Sequence, residues 1–159
     1  MAKISEIMET NPYSCKASST IEEVIRILSK GQVVSMPIVD DEMRLIGYIT
    51  DVDIMRFLGR KRPQVFDWGD MMPVIIDEES FEDKVQQLLD TPILSVYSHK
   101  NKVFAKPDQD IAEVAELFRN EKMRKIAVIE DGKVIGVVSR SVILRHILTM
   151  ILPKENDPA

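Results

Sequence analysis

Two short stretches combine residue types at a spacing that could meet a ligand. The first is Ile46-Gly47-Tyr48-Ile49-Thr50-Asp51-Val52-Asp53. Ile46, Tyr48 and Ile49 favour a strand. Thr50 offers a helix N-cap oxygen, and Ile54, Phe57 and Leu58 supply an apolar helical face. A strand that runs straight into a helix leaves free backbone N–H groups pointing outward, and such ends suit anions. The same corner returns as Ile135-Gly136-Val137-Val138-Ser139-Arg140-Ser141-Val142. Ser139 stands in the place of Thr50, but Val142 replaces the carboxylate of Asp53. Taken alone, Thr50 reads as a helix cap and Asp53 as a favourable charge in the first helical turn.

Other chemistry is thin. His99, His146 and the single Cys15 lie far apart and do not give a zinc-ligand spacing. No Ser–His–Asp arrangement can be assembled. The six glycines are scattered, and no Gly-Lys-Ser/Thr phosphate loop occurs. The nine methionines read as core filler. A net charge of −5 with no dominant basic face argues against a nucleic-acid or anionic-membrane binder. Arg60-Lys61-Arg62 is expected in a solvated connector. No apolar run reaches the length of a membrane span, and Met1 to Met8 lacks the pattern of a signal peptide. One cysteine cannot form an internal disulfide, so a reducing cytoplasm is the expected setting.

The elements that position the corners follow from periodicity. The 159 residues, 45% of them hydrophobic, suit one compact domain or two intimate halves. Ile4, Ile7 and Met8 make a short amphipathic turn, and Tyr13 to Cys15 a short strand. Thr20-Ile21-Glu22-Glu23 is a capping box, followed by an apolar stripe at Ile21, Val24, Ile25 and Leu28 and a stop at Gly31. Met36 to Val39 and Leu45 to Ile49 read as strands around a polar turn, and a helix runs from Thr50 to near Gly59. The second copy has a strand at Val103 to Ala105 and a cap pattern at Asp110 to Glu113. Its stripe is Ile111, Val114, Ala115 and Phe118. Strands follow at Ile126 to Ile129 and Val134 to Val138, and a last helix ends before Pro153. Each unit is too small to bury its own core, so the two should pack together. Between them, Met71 to Ile76 is a candidate strand and Trp68-Gly69-Asp70 a turn. Residues 80–90 are expected to form a capped helix with Phe81, Val85, Leu88 and Leu89 on its apolar face.

Each unit resembles a CBS domain, and the tandem resembles a Bateman module. The resemblance rests on Met36-Pro37-Ile38-Val39-Asp40, on the corner Gly47 to Asp53, and on their echoes at Ile126 to Glu130 and Gly136 to Val142. It covers about residues 4–58 and 96–150. It implies an α+β fold of two units, each strand-helix-strand-strand-helix, packed as a pseudo-symmetric pair. The expected divisions are 1–59, a connector with an extra helix at 60–95, 96–153, and a tail at 154–159.

The resemblance implies a binding module rather than an enzyme. No cofactor is required. The ligand is an adenosine-containing molecule (AMP, ADP, ATP or S-adenosylmethionine) held in a cleft between the domains. Carried onto this chain, Thr50 would meet phosphate or ribose and Asp53 the ribose hydroxyls. A carboxylate accepts two hydrogen bonds and a ribose diol offers two donors. Ser98, Val103, Met123 and Arg124 would build the adenine slot. Arg124 and Lys125, whose first-copy counterparts are Val34 and Ser35, would meet phosphate, as would Ser139. The tighter site is expected at Asp53, because Val142 cannot accept from a ribose. The module is expected to stand alone, to dimerise through Ile54, Phe57, Leu58, Ile143, Ile147 and Ile151, and to signal to a separate effector protein. The alternative is a structural or protein-interaction module that binds no nucleotide.

Overall fold

The computed structural model describes residues 2–30, 33–60, 64–66, 69, 74–76, 79–97, 102–121 and 123–152. The periodicities of the sequence become two copies of one unit. The first holds β1 (Cys15–Lys16), α2 (Ile21–Lys30), β2 (Ser35–Val39), β3 (Leu45–Thr50) and α3 (Asp51–Leu58), after a single-turn helix α1 (Ile4–Ile7). The second holds β6 (Phe104–Ala105), α5 (Ile111–Glu121), β7 (Lys125–Glu130), β8 (Lys133–Ser139) and α6 (Arg140–Ile151). The connector supplies a hairpin, β4 (Gln64–Phe66) and β5 (Val74–Ile76), then α4 (Phe81–Leu89) and a 3₁₀ turn at Ile93–Ser95. Strand β5 falls inside the stretch expected to be extended; its partner β4 carried no recognisable signal. Gly31, Trp68, Asp70, His99 and Pro153 lie outside the described residues.

Both large sheets have the same plan. A short parallel strand pairs with a central one, which pairs antiparallel with the return strand, in the orders β1-β2-β3 and β6-β7-β8. Each antiparallel pair carries an irregularity at the same step, Ile38/Val39 and Val128/Ile129. A duplicated bulge is a strong mark of a duplicated unit, since a bulge fixes the local twist. The turns that follow need left-handed backbone at Met43 (φ 62) and at Asp131 and Gly132 (φ 52 and 78). In the first turn Asp40 Oδ1 accepts the N–H groups of Glu42 and Arg44 at 2.9 and 2.8 Å. The Arg44 amide and guanidinium hold the Asp40 carboxyl below its ordinary range.

Helix starts follow the expected capping. Thr20 and Glu23 form a reciprocal pair, with N–H to oxygen distances of 3.2 and 3.3 Å. Asp110 is used differently: its backbone carbonyl accepts the Glu113 N–H at 3.1 Å, while its carboxylate takes the Lys3 ammonium at 2.9 Å and ties the N-terminal segment to the second unit.

The two cores exchange elements. Residues 2–9, counted with the first unit in the sequence reading, dock on the second. Ile4 is fully buried there among Val114, Ile126 and Val138. The Ile4 and Ser5 N–H groups donate to Gln109 and Pro107, and Glu9 pairs with Val137. In return α4 packs on α2 and α3, and Leu88 and Ile93 complete the core of the first unit. Each such side chain adds roughly 1.5–3 kcal/mol on full burial. Within α4 the expected face is only partly right: Leu88 is buried and Val85 and Leu89 half-buried, whereas Phe81 is exposed.

Candidate functional site

The two corners are built alike. Thr50 leaves β3 in extended geometry and caps α3: its Oγ1 accepts the Asp53 N–H at 3.2 Å, and Asp53 Oδ2 accepts the Thr50 N–H at 2.9 Å. Ser139 caps α6 by accepting the Val142 N–H at 3.2 Å, and its hydroxyl also meets that of Ser141 at 2.9 Å. Cross-strand register then sets each corner's neighbour. Ser35 lies opposite Thr50, and Lys125 lies opposite Ser139. The backbone repeats as well: Val34 and Arg124 offer their carbonyls to the N–H groups of Asp51 and Arg140. One corner therefore carries a small hydroxyl where the other carries an ammonium.

A cavity of about 690 Å³ opens at the second corner. Arg124, Lys125, Ser139, Arg140, Ser141 and Leu144 come from the second unit; Val33 and Val34 come from the first; Glu9, Asn11 and Tyr13 come from the segment before β1. Three cations and three hydroxyls, two from serines and one from Tyr13, thus gather around the N-terminus of a twelve-residue helix, with Glu9 as the single acid among the described lining residues. Glu9 also faces Arg145 at 3.9 Å. Positive side chains, hydroxyl donors and helix N–H groups together favour phosphate oxygens.

Arg124, Lys125 and Ser139 line this cavity together; Arg124, expected also in the adenine slot of the Thr50 cleft, stands at the Ser139 corner. Thr50 and Asp53 lie outside its lining, at the other corner. Met123 sits in the second core, 6% exposed. Val103 is half-buried and its carbonyl accepts a hydrogen bond from Tyr48. Ser98 lies outside the described residues, as do most of the residues (98–101) that lead into β6 as residues 9–13 lead into β1. Asp53 is 1% exposed, and its Oδ1 accepts from Arg56 at 3.1 Å. Beside Thr50, the Ser35 hydroxyl is buried and has no hydrogen-bond partner, an uncommon state for a buried polar atom.

Sequence reasoning missed Glu9, Asn11, Tyr13, Val33, Arg140 and Ser141. The signal was present. The family resemblance sets the second unit's first strand, with Ser98 and Val103, against the first cleft, and pseudo-symmetry then makes residues 9–13, ahead of β1, a wall of the second.

Two buried groups are inert at neutral pH. Burial pushes the Cys15 thiol up to about 12, so it holds little of the reactive thiolate. Burial likewise pushes the Tyr48 phenol up to about 12. Among the described residues no cluster of His, Cys, Asp and Glu is placed to hold a metal, and no helix is long and apolar enough to cross a membrane.

Comparison with known proteins agrees with this architecture. MJ1225, an uncharacterised protein of Methanocaldococcus jannaschii, is 26% identical over 136 residues; the match spans 86% of this chain but 39% of that protein. The crystal structure of CBSX2 in complex with AMP superposes with a TM-score of 0.69 at 17% identity, covering 94% of this chain and 98% of that one. CBSX2 is a chloroplastic CBS domain-containing protein of Arabidopsis thaliana. The CBS domain pair of MJ0100, solved with 5'-methylthioadenosine and S-adenosyl-L-methionine, gives a TM-score of 0.67 at 20% identity, covering 94% and 98% of the two chains. The CBS domain model matches residues 4–60 and again 87–149. With the duplicated sheet, the shared bulge and two equivalent strand–helix corners, these matches place the chain in the CBS domain family, as a tandem pair.

Proposed function

We propose that this protein is a regulatory module that binds an adenosine-containing ligand between its two CBS units and passes its occupancy to a separate protein. The cavity at the Ser139 corner is the observation that carries this reading. It is walled by both units, and its cations and helix N-terminus match a phosphate-bearing ligand such as AMP, ADP or ATP. AMP in CBSX2 and the adenosine derivatives in MJ0100 support the same ligand class. The Thr50 corner forms the second cleft of this reading. There Asp53 supplies a carboxylate, Ser35 a hydroxyl and Val103 an edge. Arg124 and Lys125 give the Ser139 cleft its preference for phosphate, and Asp53 gives the Thr50 cleft its preference for ribose. The buried free thiol of Cys15 suits a reducing, cytoplasmic setting.

Thermal unfolding with each nucleotide tests the reading. At a hundredfold excess over the dissociation constant, binding adds about 2.7 kcal/mol. For a chain of this length the midpoint should rise on the order of 5–10 °C. Unchanged midpoints with AMP, ADP, ATP and S-adenosylmethionine at millimolar concentration would favour an interaction module without a nucleotide.

A further inference from the structure

Tyr48 leaves its own unit. Its ring is 1% exposed and lies in the core of the second unit. Its hydroxyl donates to the Val103 carbonyl at 2.5 Å and accepts the Ala127 N–H at 2.9 Å. Val103 immediately precedes β6, and Ala127 pairs with Phe104 in the parallel β6–β7 ladder. The hydroxyl therefore stands between an N–H of one strand and a carbonyl at the entry of the other, the two groups that a parallel ladder joins directly. The latch is one-sided, because Val137 occupies the equivalent place in the second unit and has no hydroxyl.

Its position ties it to the Thr50 corner. Tyr48 and Thr50 are two residues apart on β3, so both side chains leave the same face, roughly 7 Å apart along the strand. The junction of Tyr48 with Val103 thus flanks the corner that Thr50, Ser35 and Asp53 define. We infer that Tyr48 is a positioning residue: by clamping the Val103 carbonyl and the Ala127 amide it sets the edge of the Thr50 cleft and couples that cleft's occupancy to strand pairing in the second unit. The inference rests on the adenosine-ligand reading above. Burial keeps the phenol protonated across the neutral range, so the donor is always present.

Tyr48→Phe keeps the ring and removes the hydroxyl that bridges the Ala127 N–H and the Val103 carbonyl. Titration of the full chain with AMP and with ATP, followed through backbone amide signals, resolves the corners: Asp51 to Asp53 report one and Arg140 to Val142 the other. Tyr48→Phe should weaken binding at the Thr50 corner about tenfold and leave the Ser139 corner unchanged. In the wild type, nucleotide should also slow hydrogen exchange at Ala127. A purely structural tyrosine would lower the melting midpoint yet leave the Thr50-corner dissociation constant unchanged well below that midpoint, and this result would overturn the inference. If Tyr48→Phe does not fold, wild-type exchange at Ala127 that ignores bound nucleotide overturns it equally. Wild-type protein that binds neither AMP nor ATP sinks the ligand reading and the inference with it. Binding that Tyr48→Phe leaves intact sinks the inference alone.

Discussion

Asp53 shows how a cap and a ligand group can compete for one carboxylate. Its Oδ2 closes the capping box on Thr50 and its Oδ1 faces Arg56. A ribose diol must share these oxygens or displace the largely exposed Arg56 side chain. Asp53→Ala therefore has two effects at once. Losing the cap costs about 1 kcal/mol, or a midpoint lower by about 2–4 °C. Asp53→Asn separates them, because its amide oxygen still accepts the Thr50 N–H while the second acceptor is lost. With Asp53 as the ribose partner, both variants should weaken binding at the Thr50 corner about tenfold or more, and only Asp53→Ala should lower the midpoint markedly. Calorimetry giving Asp53→Asn wild-type affinity would reduce Asp53 to a helix cap. Val142, its counterpart, is 8% exposed in the second core. Val142→Ala is thus a packing change, although it removes no hydrogen-bond partner of a ligand.

Among the elements, the segment before each unit decides how the corners become clefts. Residues 8 and 9 lie against β8 so closely that a Cβ on Gly136 would fall 2.6 Å from the Glu9 carbonyl oxygen and 3.0 Å from Met8 Sδ. The first is a backbone atom held by the reciprocal Glu9–Val137 pairing at 2.8 and 3.0 Å, so it cannot step aside cheaply. Gly136→Ala should destabilise the fold by about 1–3 kcal/mol through overpacking. It should also lift the Glu9 to Tyr13 wall and weaken phosphate-bearing ligands at the Ser139 corner more than at the Thr50 corner. Wild-type thermal unfolding in the variant would show that this close approach carries no energy. The element swap also explains why α4 exists. The core of the first unit needs Leu88 and Ile93, just as that of the second needs Ile4.

For the whole molecule, the exposed apolar surface gathers on the last helix. Leu144, Ile147, Leu148, Met150, Ile151 and Leu152 are 44–72% exposed. The expected dimer face needs correction here. Ile54 and Ile143 are consumed by their own cores, Phe57 and Leu58 pack against the first core, and the Arg60 guanidinium covers the Phe57 ring at 3.7 Å. Ile147 and Ile151 remain available, joined by Leu144 and Leu148. We propose a second copy of this chain as the occupant. The spacing 144, 147, 148, 151 reads the same in both directions, so an antiparallel copy sets Leu144 against the partner subunit's Ile151 and Ile147 against the partner subunit's Leu148. The helix carries no acid, and this alignment keeps the two Arg145 groups apart. Each such side chain contributes roughly 1.5–3 kcal/mol when fully covered. Light scattering should give twice the chain mass, and Leu148→Asp should return it to the monomer mass. A monomer at every concentration would refute the interface.

The repeat, its strand–helix corners and the capped helices were determined by sequence alone, because each depends on residues within a few positions of one another. The Thr20–Glu23 cap, the stripe of α2 and the Thr50 cap needed only local spacing. The basic pair Arg124–Lys125 and the asymmetry of Asp53 against Val142 were legible for the same reason. Tertiary structure decided the rest. It sent α1 to the second unit and α4 to the first, turned Ile54 and Ile143 inward, and set Glu9 to Tyr13 against Ser139. It also carried the Tyr48 hydroxyl across to Val103 and Ala127. Those outcomes depend on which surfaces two half-cores leave uncovered when they meet, and hydrophobic burial has no direction along the chain. Periodicity states that a residue is buried; only the packed pair states in whose core.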